Sequence, residues 1–329
     1  MATEAIMNGY YRPEVEVKPG EKMYADFSCC IGGYLPVLKY FCLPPCSPSC
    51  LRTLRTMSKA KSRVPVKVED ARKKQVEEGL SKRDFFDKYG FVLFEHPTKM
   101  AAEDWLKHSS VAGVERKPEP GEASPVREIY TKELEPLVRE LLPNVADISW
   151  PFGALRRGPG GPNTSYGLGI HQDYGLYPAD LDNTYDKRLG SFEQFMERLK
   201  DPSTAGYMVL NFWRPVLPMK GPVKSFPLAL CDPNTVKVEE VLSQETYGFV
   251  AGGQVSTCIK FSADHKWYYY PDVTKDEVLV MKQFQYERGV EAPYDRIRTV
   301  FHSAFKHAEA SPTEEPRCSS EYRVPVWLK

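Results

Sequence analysis

The chain has 329 residues, 42% of them hydrophobic, and its 44 basic side chains are balanced by 44 acidic ones. That length suits one large domain with extensions or two ordinary ones. Zero formal charge, with no dense Lys/Arg run flanked by aromatics, argues against nucleic acid as a partner.

The first residues carry Glu4, Arg12, Glu14 and Glu16, so they lack the basic-then-apolar order of a secretory signal. The most apolar segment, IGGYLPVLKYFCLPP, is broken by Pro36 and Lys39 and is too short to span a bilayer. A soluble, cytoplasmic protein without a membrane partner is the expectation, and the Asn163-Thr164-Ser165 sequon then has no glycosylation to receive. Five of the eight cysteines come early, at Cys29, Cys30, Cys42, Cys46 and Cys50. The run CLPPCSPSC invites a zinc or cluster reading. Its spacing lacks a second distant pair, no histidine is near, and its prolines favour an extended loop, so free thiols in a reducing compartment are expected. Residues 1–65, rich in Pro, Gly and Cys without a clean period, read as an arm wrapping a core.

Residues 66–329 read as one domain, with helical support over 66–145 and a β core over 146–329. VEDARKKQVEEGLSKRDFFDKYGF has helical character, with Val76, Leu80, Phe85 and Phe86 as core positions and Gly90 as its stop. FVLFEHP follows as a buried strand. SPVREIYTKELEPLVRELLP is a second amphipathic helix, with Tyr130, Leu134, Leu137 and Leu141 on its apolar face. From about residue 147, short aromatic and β-branched runs punctuated by Pro, Gly and Asp take over, among them GYMVLNFWRPV, FPLALCD, QVSTCIKF, DEVLVMKQF and EYRVPVW. Helices first and many short strands later imply an α+β domain with a sandwich or barrel, jelly rolls included. RRGPGGPNTSYGLG fits neither a phosphate loop nor a dinucleotide fingerprint, and there is no G-x-S-x-G elbow.

Within the β region, GIHQDYGLYPAD places His171 and Asp173 two apart, on one side of an extended strand. A neutral imidazole and a carboxylate so placed suit a divalent first-row metal. His302, in TVFHSAF, is the candidate third ligand of a 2-His-1-carboxylate set with open positions. Further on, PRCSSEYR spaces Arg317 and Ser319 two apart, a fork and a hydroxyl suited to the distal carboxylate of 2-oxoglutarate. Each part alone has a plain structural reading: a strand-end pair for His171 and Asp173, a core histidine for His302, a salt bridge to Glu321 or Glu315 for Arg317. Together they point to Fe(II), 2-oxoglutarate and O2.

The segments GFVLFEHPT, HQDY, LNFWRPV with FPLALCD, HKWYYYPDVTKDEVLVMKQF, VFHSAF and PRCSSEYRVPVW carry a family resemblance from about residue 90 to the C-terminus. The chain resembles the hydroxylase/desaturase group that includes the gibberellin desaturase, the asaB-type enzymes and the cephamycin hydroxylase component. The resemblance implies a double-stranded β-helix and an Fe(II)/2-oxoglutarate-dependent dioxygenase, with iron on His171, Asp173 and His302 and the cosubstrate on Arg317. It also implies that Asn211, Trp213 and Arg214, and Tyr268 of the Trp-Tyr-Tyr segment, line or support the site. Two departures concern substrate rather than iron: Ser303-Ala304-Phe305 is followed by Lys306-His307 where the family has Asp-Pro, and Cys318 and Ser320 replace Glu and Ile. Arg317, Glu321 and Arg323 persist.

Arg156 and Arg157 precede the His171 strand, and one of two neighbouring strand residues points inward in a closed sheet. An inward arginine needs an anion, which a substrate carboxylate supplies; the alternative places both on the rim or pairs one with Asp180. Asn163 and Tyr174 are further lining candidates, whereas His265 reads as a turn residue and His96, His108 and His307 as structural or exposed. The expected reaction is oxidation of a C–H bond in a small, carboxylate-bearing, amino-acid-derived secondary metabolite, by hydroxylation, desaturation or kainoid-synthase-like ring closure. The rivals are a metal-free β-barrel binding protein and a methyltransferase-associated component. Oligomeric state is open.

Overall fold

The structure is a computed structural model that describes residues 2–17, 21–26, 60–107, 124–150, 154–157, 169–182, 190–217, 219–247, 253–290, 296–307 and 314–329. The early cysteine cluster lies outside these residues, while Cys231, Cys258 and Cys318 are buried.

The N-terminal arm contributes strands. β1 (Thr3–Tyr11) pairs antiparallel with β3 (Lys61–Asp70), which crosses the expected 65/66 boundary, and β2 (Met23–Asp26) lies parallel to a later strand. The single helix expected next is two: α1 (Ala71–Glu78) and α2 (Lys82–Tyr89). Ser81 caps the N-terminus of α2, accepting from the Asp84 amide, and restarts the helix in a new direction. The rotation overturns half of the expected apolar face: Phe85 and Phe86 are fully buried, but Val76 is 80% exposed and Leu80 is exposed. Gly90 ends α2 in the left-handed region, as expected, and β4 (Phe91–Glu95) follows.

After α3 (Ala102–Lys107) comes a wide turn over Val126–Tyr130 and then α4 (Thr131–Leu141), whose Leu134, Leu137 and Leu141 are buried together with Tyr130, as the periodicity predicts. Strands then dominate: β5 (Val145–Ile148), β6 (Ala154–Arg157), β7 (Gly206–Pro215), β8 (Leu228–Cys231), β9 (Val241–Tyr247), β10 (Gln254–Ile259), β11 (Trp267–Tyr269), β12 (Glu277–Glu287), β13 (His302–Ala304) and β14 (Cys318–Leu328). One helix interrupts them, α5 (Phe192–Lys200), closed by a Ser191/Gln194 capping box.

Three sheets result. The largest runs β4-β12-β7-β14-β5, with β6 also on β14; a second runs β1-β3-β11-β8-β13; a third runs β10-β9-β2. The segment at 169–172 stitches the last two, bridging Gly169 to Asn8, His171 to His302 and Gln172 to Thr257. This architecture is the double-stranded β-helix that the resemblance implies.

Register sorts the faces of the large sheet. Leu279, Trp213 and Glu321 lie across from one another, as do Met281, Asn211 and Arg323, and this face looks into the roll. The alternate residues, Val280, Phe212 and Tyr322, look outward and pack with Phe85, Phe86, Leu134 and Val138 of the helices. With helices on one side and a second sheet on the other, β7 is buried along its whole length.

Candidate metal centre

His171 and His302 are directly opposite across two antiparallel segments. Each donates its backbone N–H to the other's carbonyl, at 3.2 Å from His171 and 2.9 Å from His302. Residues so paired project to the same face with adjacent Cβ atoms, and the two rings stand 4.6 Å apart between centroids. Asp173, two residues along, returns to that face. The nitrogen and carboxylate atoms of His171, Asp173 and His302 lie within 4.8 Å of one another, the one such group of metal-ligating side chains among the described residues.

Backbone carbonyls orient both rings. His171 Nδ1 is 2.6 Å from Gly169 O, and His302 Nδ1 is 3.4 Å from Val300 O, in each case the carbonyl two residues earlier. With Nδ1–H donated in this way, each ring presents Nε2 as its ligand atom. Gln172 points to the opposite side and is fully buried; its amide donates to Gln283 O and its carbonyl accepts from the Thr257 hydroxyl. Gln283 occupies the β-bulge where β12 slips against β7 between Lys282 and Phe284. That extra residue turns its side chain to the centre, where Oε1 accepts from the Asp173 amide at 3.3 Å and Nε2 lies 3.5 Å from His302 Nδ1.

Charge is arranged around the carboxylate. Asp173 Oδ1 is 3.5 Å from His171 Nε2, and Oδ2 is 3.1 Å from Arg323 Nη2. The arginine contact is close but bent, an ion pair rather than an aligned hydrogen bond, and Oδ2 has no hydrogen-bond partner. Burial works against the charged carboxylate, but Arg323 and the imidazoles outweigh it and hold Asp173 well below the usual carboxylate range. Burial likewise lowers His171, yet the Asp173 carboxylate more than reverses it and its pKa is raised. His302, buried and beside the other imidazole, is pushed down to about 4, which keeps it in the neutral, ligand-competent form. Two neutral-capable imidazoles and an ionised carboxylate form a donor set that fits a divalent first-row metal.

The expected cosubstrate residues divide. Arg317 is 2% exposed, stacks its guanidinium 5.6 Å from the Trp213 ring and donates to Phe226 O, whose residue has a positive φ of 51°. Ser319 Oγ, Asn211 Oδ1 and Trp213 Nε1 are buried on the same inner face without hydrogen-bond partners among the described residues. Unpaired polar atoms on that face fit a polar ligand bound beside Arg317. Arg214 lies elsewhere: it belongs to the outer face, donates to Glu277 O and His96 O, and sits 5.5 Å from the Tyr130 ring. Tyr268 shares a face with His302, but Leu230 stands between them in the register, and its ring meets Tyr89 and Phe91.

Tyr174 packs partly buried with the Leu181, Phe195 and Tyr207 cluster, 5.9 Å from the Arg323 guanidinium. Asn163 lies outside the described residues; Arg156 pairs with Ser319 and Arg157 with Cys318. Asp180, weighed as a partner for those arginines, pairs with Lys22 at 2.7 Å. His265 joins a buried chain with Tyr10 and Glu240 remote from the triad, and His96 bonds Glu133 O. Sequence reasoning missed Gln283, Gln172 and Arg323 as parts of the centre. Arg323 carried a signal: it continues the period-two pattern of Arg317, Ser319 and Glu321. The bulge that admits Gln283 carried none.

Comparison with known proteins agrees with this geometry. The family described as Oxidoreductase/YMDC permease-like domain matches residues 47–327, and the chain belongs to it. Among the described residues no helix is long and apolar enough to cross a membrane. The chain is 29% identical over 137 residues to the hydroxylase/desaturase CTB9 of Cercospora beticola, covering 37% of each protein. It is 26% identical over 288 residues to the hydroxylase/desaturase efuI of Hormonema carpetanum, covering 77% of this chain and 82% of the relative. Among solved structures, a variant of the iron and alpha-ketoglutarate-dependent endoperoxidase NvfI matches with a TM-score of 0.66 at 18% identity, over 99% of this chain and 96% of that one. The unmodified NvfI matches with a TM-score of 0.60, also at 18% identity, over 100% and 98%. These likenesses bear out the double-stranded β-helix and the hydroxylase/desaturase resemblance, and the chain is an oxidoreductase by family.

Proposed function

We propose that the chain is an Fe(II)/2-oxoglutarate-dependent dioxygenase that oxidises a C–H bond in a small molecule. The observation that carries this reading is the convergence of His171, Asp173 and His302 within 4.8 Å, beside an inner face bearing Arg317 and unpaired polar atoms. The relatives named hydroxylase/desaturase and the structural likeness to an iron and alpha-ketoglutarate-dependent enzyme support it.

His171, Asp173 and His302 hold the metal. Arg317 and Ser319 take the distal carboxylate of 2-oxoglutarate, with Asn211 and Trp213 on the same face. Iron with this cosubstrate and O2 supplies the oxidising power to remove hydrogen from an unactivated C–H bond, with succinate and CO2 as by-products. The chain's own part is positional: β13 and the 169–173 segment hold the ligands, and Gln283 fixes the Asp173 backbone through its amide.

The substrate is a small, carboxylate-bearing, amino-acid-derived metabolite, and the outcome is hydroxylation, desaturation or ring closure. Arg156 is the better candidate of the neighbouring arginines for a substrate carboxylate. In the strand register Arg156 is opposite Ser319 and Arg157 opposite Cys318.

The test is an anaerobic titration of the metal-free protein with Fe(II) and then 2-oxoglutarate, following the weak visible iron-to-keto-acid charge-transfer band. The band is expected in the parent chain and lost in Arg317→Ala at the same cosubstrate concentration. Failure to bind iron would turn His171 and Asp173 into a structural pair and favour the binding-protein reading.

A further inference from the structure

Arg323 lies on the inner face of β14, across from Asn211 in the register with β7. It is not a metal ligand, yet its Nη2 stands 3.1 Å from Asp173 Oδ2 while the other carboxylate oxygen, Oδ1, faces His171 Nε2 at 3.5 Å. The two oxygens therefore have different neighbours: one turns to the metal-ligating atoms and the other to a guanidinium. Arg323 is itself held from other sides. Its guanidinium lies 5.9 Å from the Tyr174 ring centre and hydrogen-bonds the Tyr174 side chain, and Glu321 Oε2 is 3.7 Å from the same Nη2. Of the two carboxylates, Asp173 is the nearer. The Asp173 backbone is fixed as well, since its amide donates to Gln283 Oε1.

We propose that Arg323 is a positioning residue that restricts Asp173 to one metal bond by occupying its second oxygen. The proposal rests on the metal-centre reading above and adds a consequence for coordination number. A carboxylate binds a cation through one oxygen or two. With Oδ2 held beside the half-buried Arg323 guanidinium, Asp173 would offer a metal one oxygen, alongside one nitrogen each from His171 and His302. Were Asp173 free to turn, its second oxygen would compete with a chelating keto acid for the metal. Arg323 thus acts on cosubstrate chelation through Asp173, without touching the metal.

Co(II) reports on this without turnover, because its visible bands change with coordination number and ligand set. The full chain is titrated anaerobically with Co(II), then with 2-oxoglutarate, beside Arg323→Leu and Arg323→Lys. In the parent chain Co(II) binds and 2-oxoglutarate shifts the bands. In Arg323→Leu, Co(II) still binds but with an altered spectrum before any cosubstrate is added, and the 2-oxoglutarate-induced shift needs about tenfold more cosubstrate, the scale typical for loss of a group that orients a ligand. Arg323→Lys keeps the charge but replaces a planar fork with a single ammonium, and it restores part of the parent spectrum. If Arg323→Leu does not fold, Arg323→Lys carries the test alone, an altered spectrum supporting the proposal and an identical one overturning it. Identical spectra and 2-oxoglutarate dependence in a folded Arg323→Leu also overturn it. Failure of the parent chain to bind Co(II) overturns the metal-centre reading instead, so the two failures are distinguishable.

Discussion

Lys282 offers the most quantitative test of how this fold handles charge. It follows Met281 on β12, lies across from Leu210 on the outer face of the large sheet, and is 5% exposed. Its ammonium sits 5.2 Å from the Phe86 ring centre under α2. Burial, opposed in part by attraction to Asp87, pushes its pKa from 10.5 down to about 8. A displacement of that size corresponds to roughly 3 kcal/mol disfavouring the charged form in the folded chain. Between about 8 and 10.5 the unfolded chain keeps a proton that the folded chain has released, so the contribution of Lys282 to stability rises with pH through that window. Below it, both states are protonated and the full cost is present. Replacing Lys282 with Met keeps an unbranched side chain and removes the charge. That net shift already includes the attraction to Asp87, so Lys282→Met is expected to be about 1–3 kcal/mol more stable than the parent at pH 7. The difference narrows by about pH 10. Urea unfolding of both chains at the two pH values measures this directly, as a shift in midpoint at constant slope. A variant no more stable at pH 7, or a difference that does not change with pH, would refute the reasoning.

Three other perturbations test supports of the fold and of the centre. Gly9 has φ of +91°, and a Cβ there would stand 2.9 Å from Ile170 N and 3.0 Å from Gly169 Cα. Gly9→Ala is expected to cost roughly 2–3 kcal/mol and to weaken Co(II) binding, because Gly169 O orients His171; unchanged urea midpoint and metal affinity would contradict this. Tyr10→Phe breaks a buried chain in which Trp267 Nε1 donates to Tyr10 OH at 2.8 Å, the hydroxyl meets His265 Nδ1 at 3.0 Å, and His265 Nε2 meets Glu240 at 2.9 Å. The stranded indole N–H and ring nitrogen imply a loss of about 1–3 kcal/mol, and a midpoint equal to that of the parent would show that the chain contributes nothing. Gln283→Met keeps the volume at the bulge but removes the contacts to Asp173 and His302. Metal affinity should fall about tenfold, read by competition with a chelator, and equal affinity would remove Gln283 from the centre.

Much of this protein was legible in one dimension because its signals are local. Period two placed His171 with Asp173 and Arg317 with Ser319, and the three- and four-residue steps of Tyr130, Leu134, Leu137 and Leu141 identified α4 and its buried face. Family segments from residue 90 onward tied those pieces to one architecture. Local periodicity failed where a cap intervened: Ser81 restarts the chain, so Val76 and Leu80 share a pattern with Phe85 but not a face. It failed again at Arg214, since a period of two says that neighbours face opposite ways without saying which way is inward.

What the sequence by itself determined was the choice of donors, because imidazole, carboxylate and guanidinium chemistry belongs to the side chain wherever it sits. Only the tertiary structure decided which of them meet. His171 and His302 face each other because antiparallel pairing sets residues opposite in register. Gln283 reaches the centre because one extra residue in β12 shifts that register. Arg323 finds Asp173 because two sheets close over a common interior. Each of these contacts joins residues more than a hundred positions apart, and their proximity is a property of strand order and register, which no local spacing encodes.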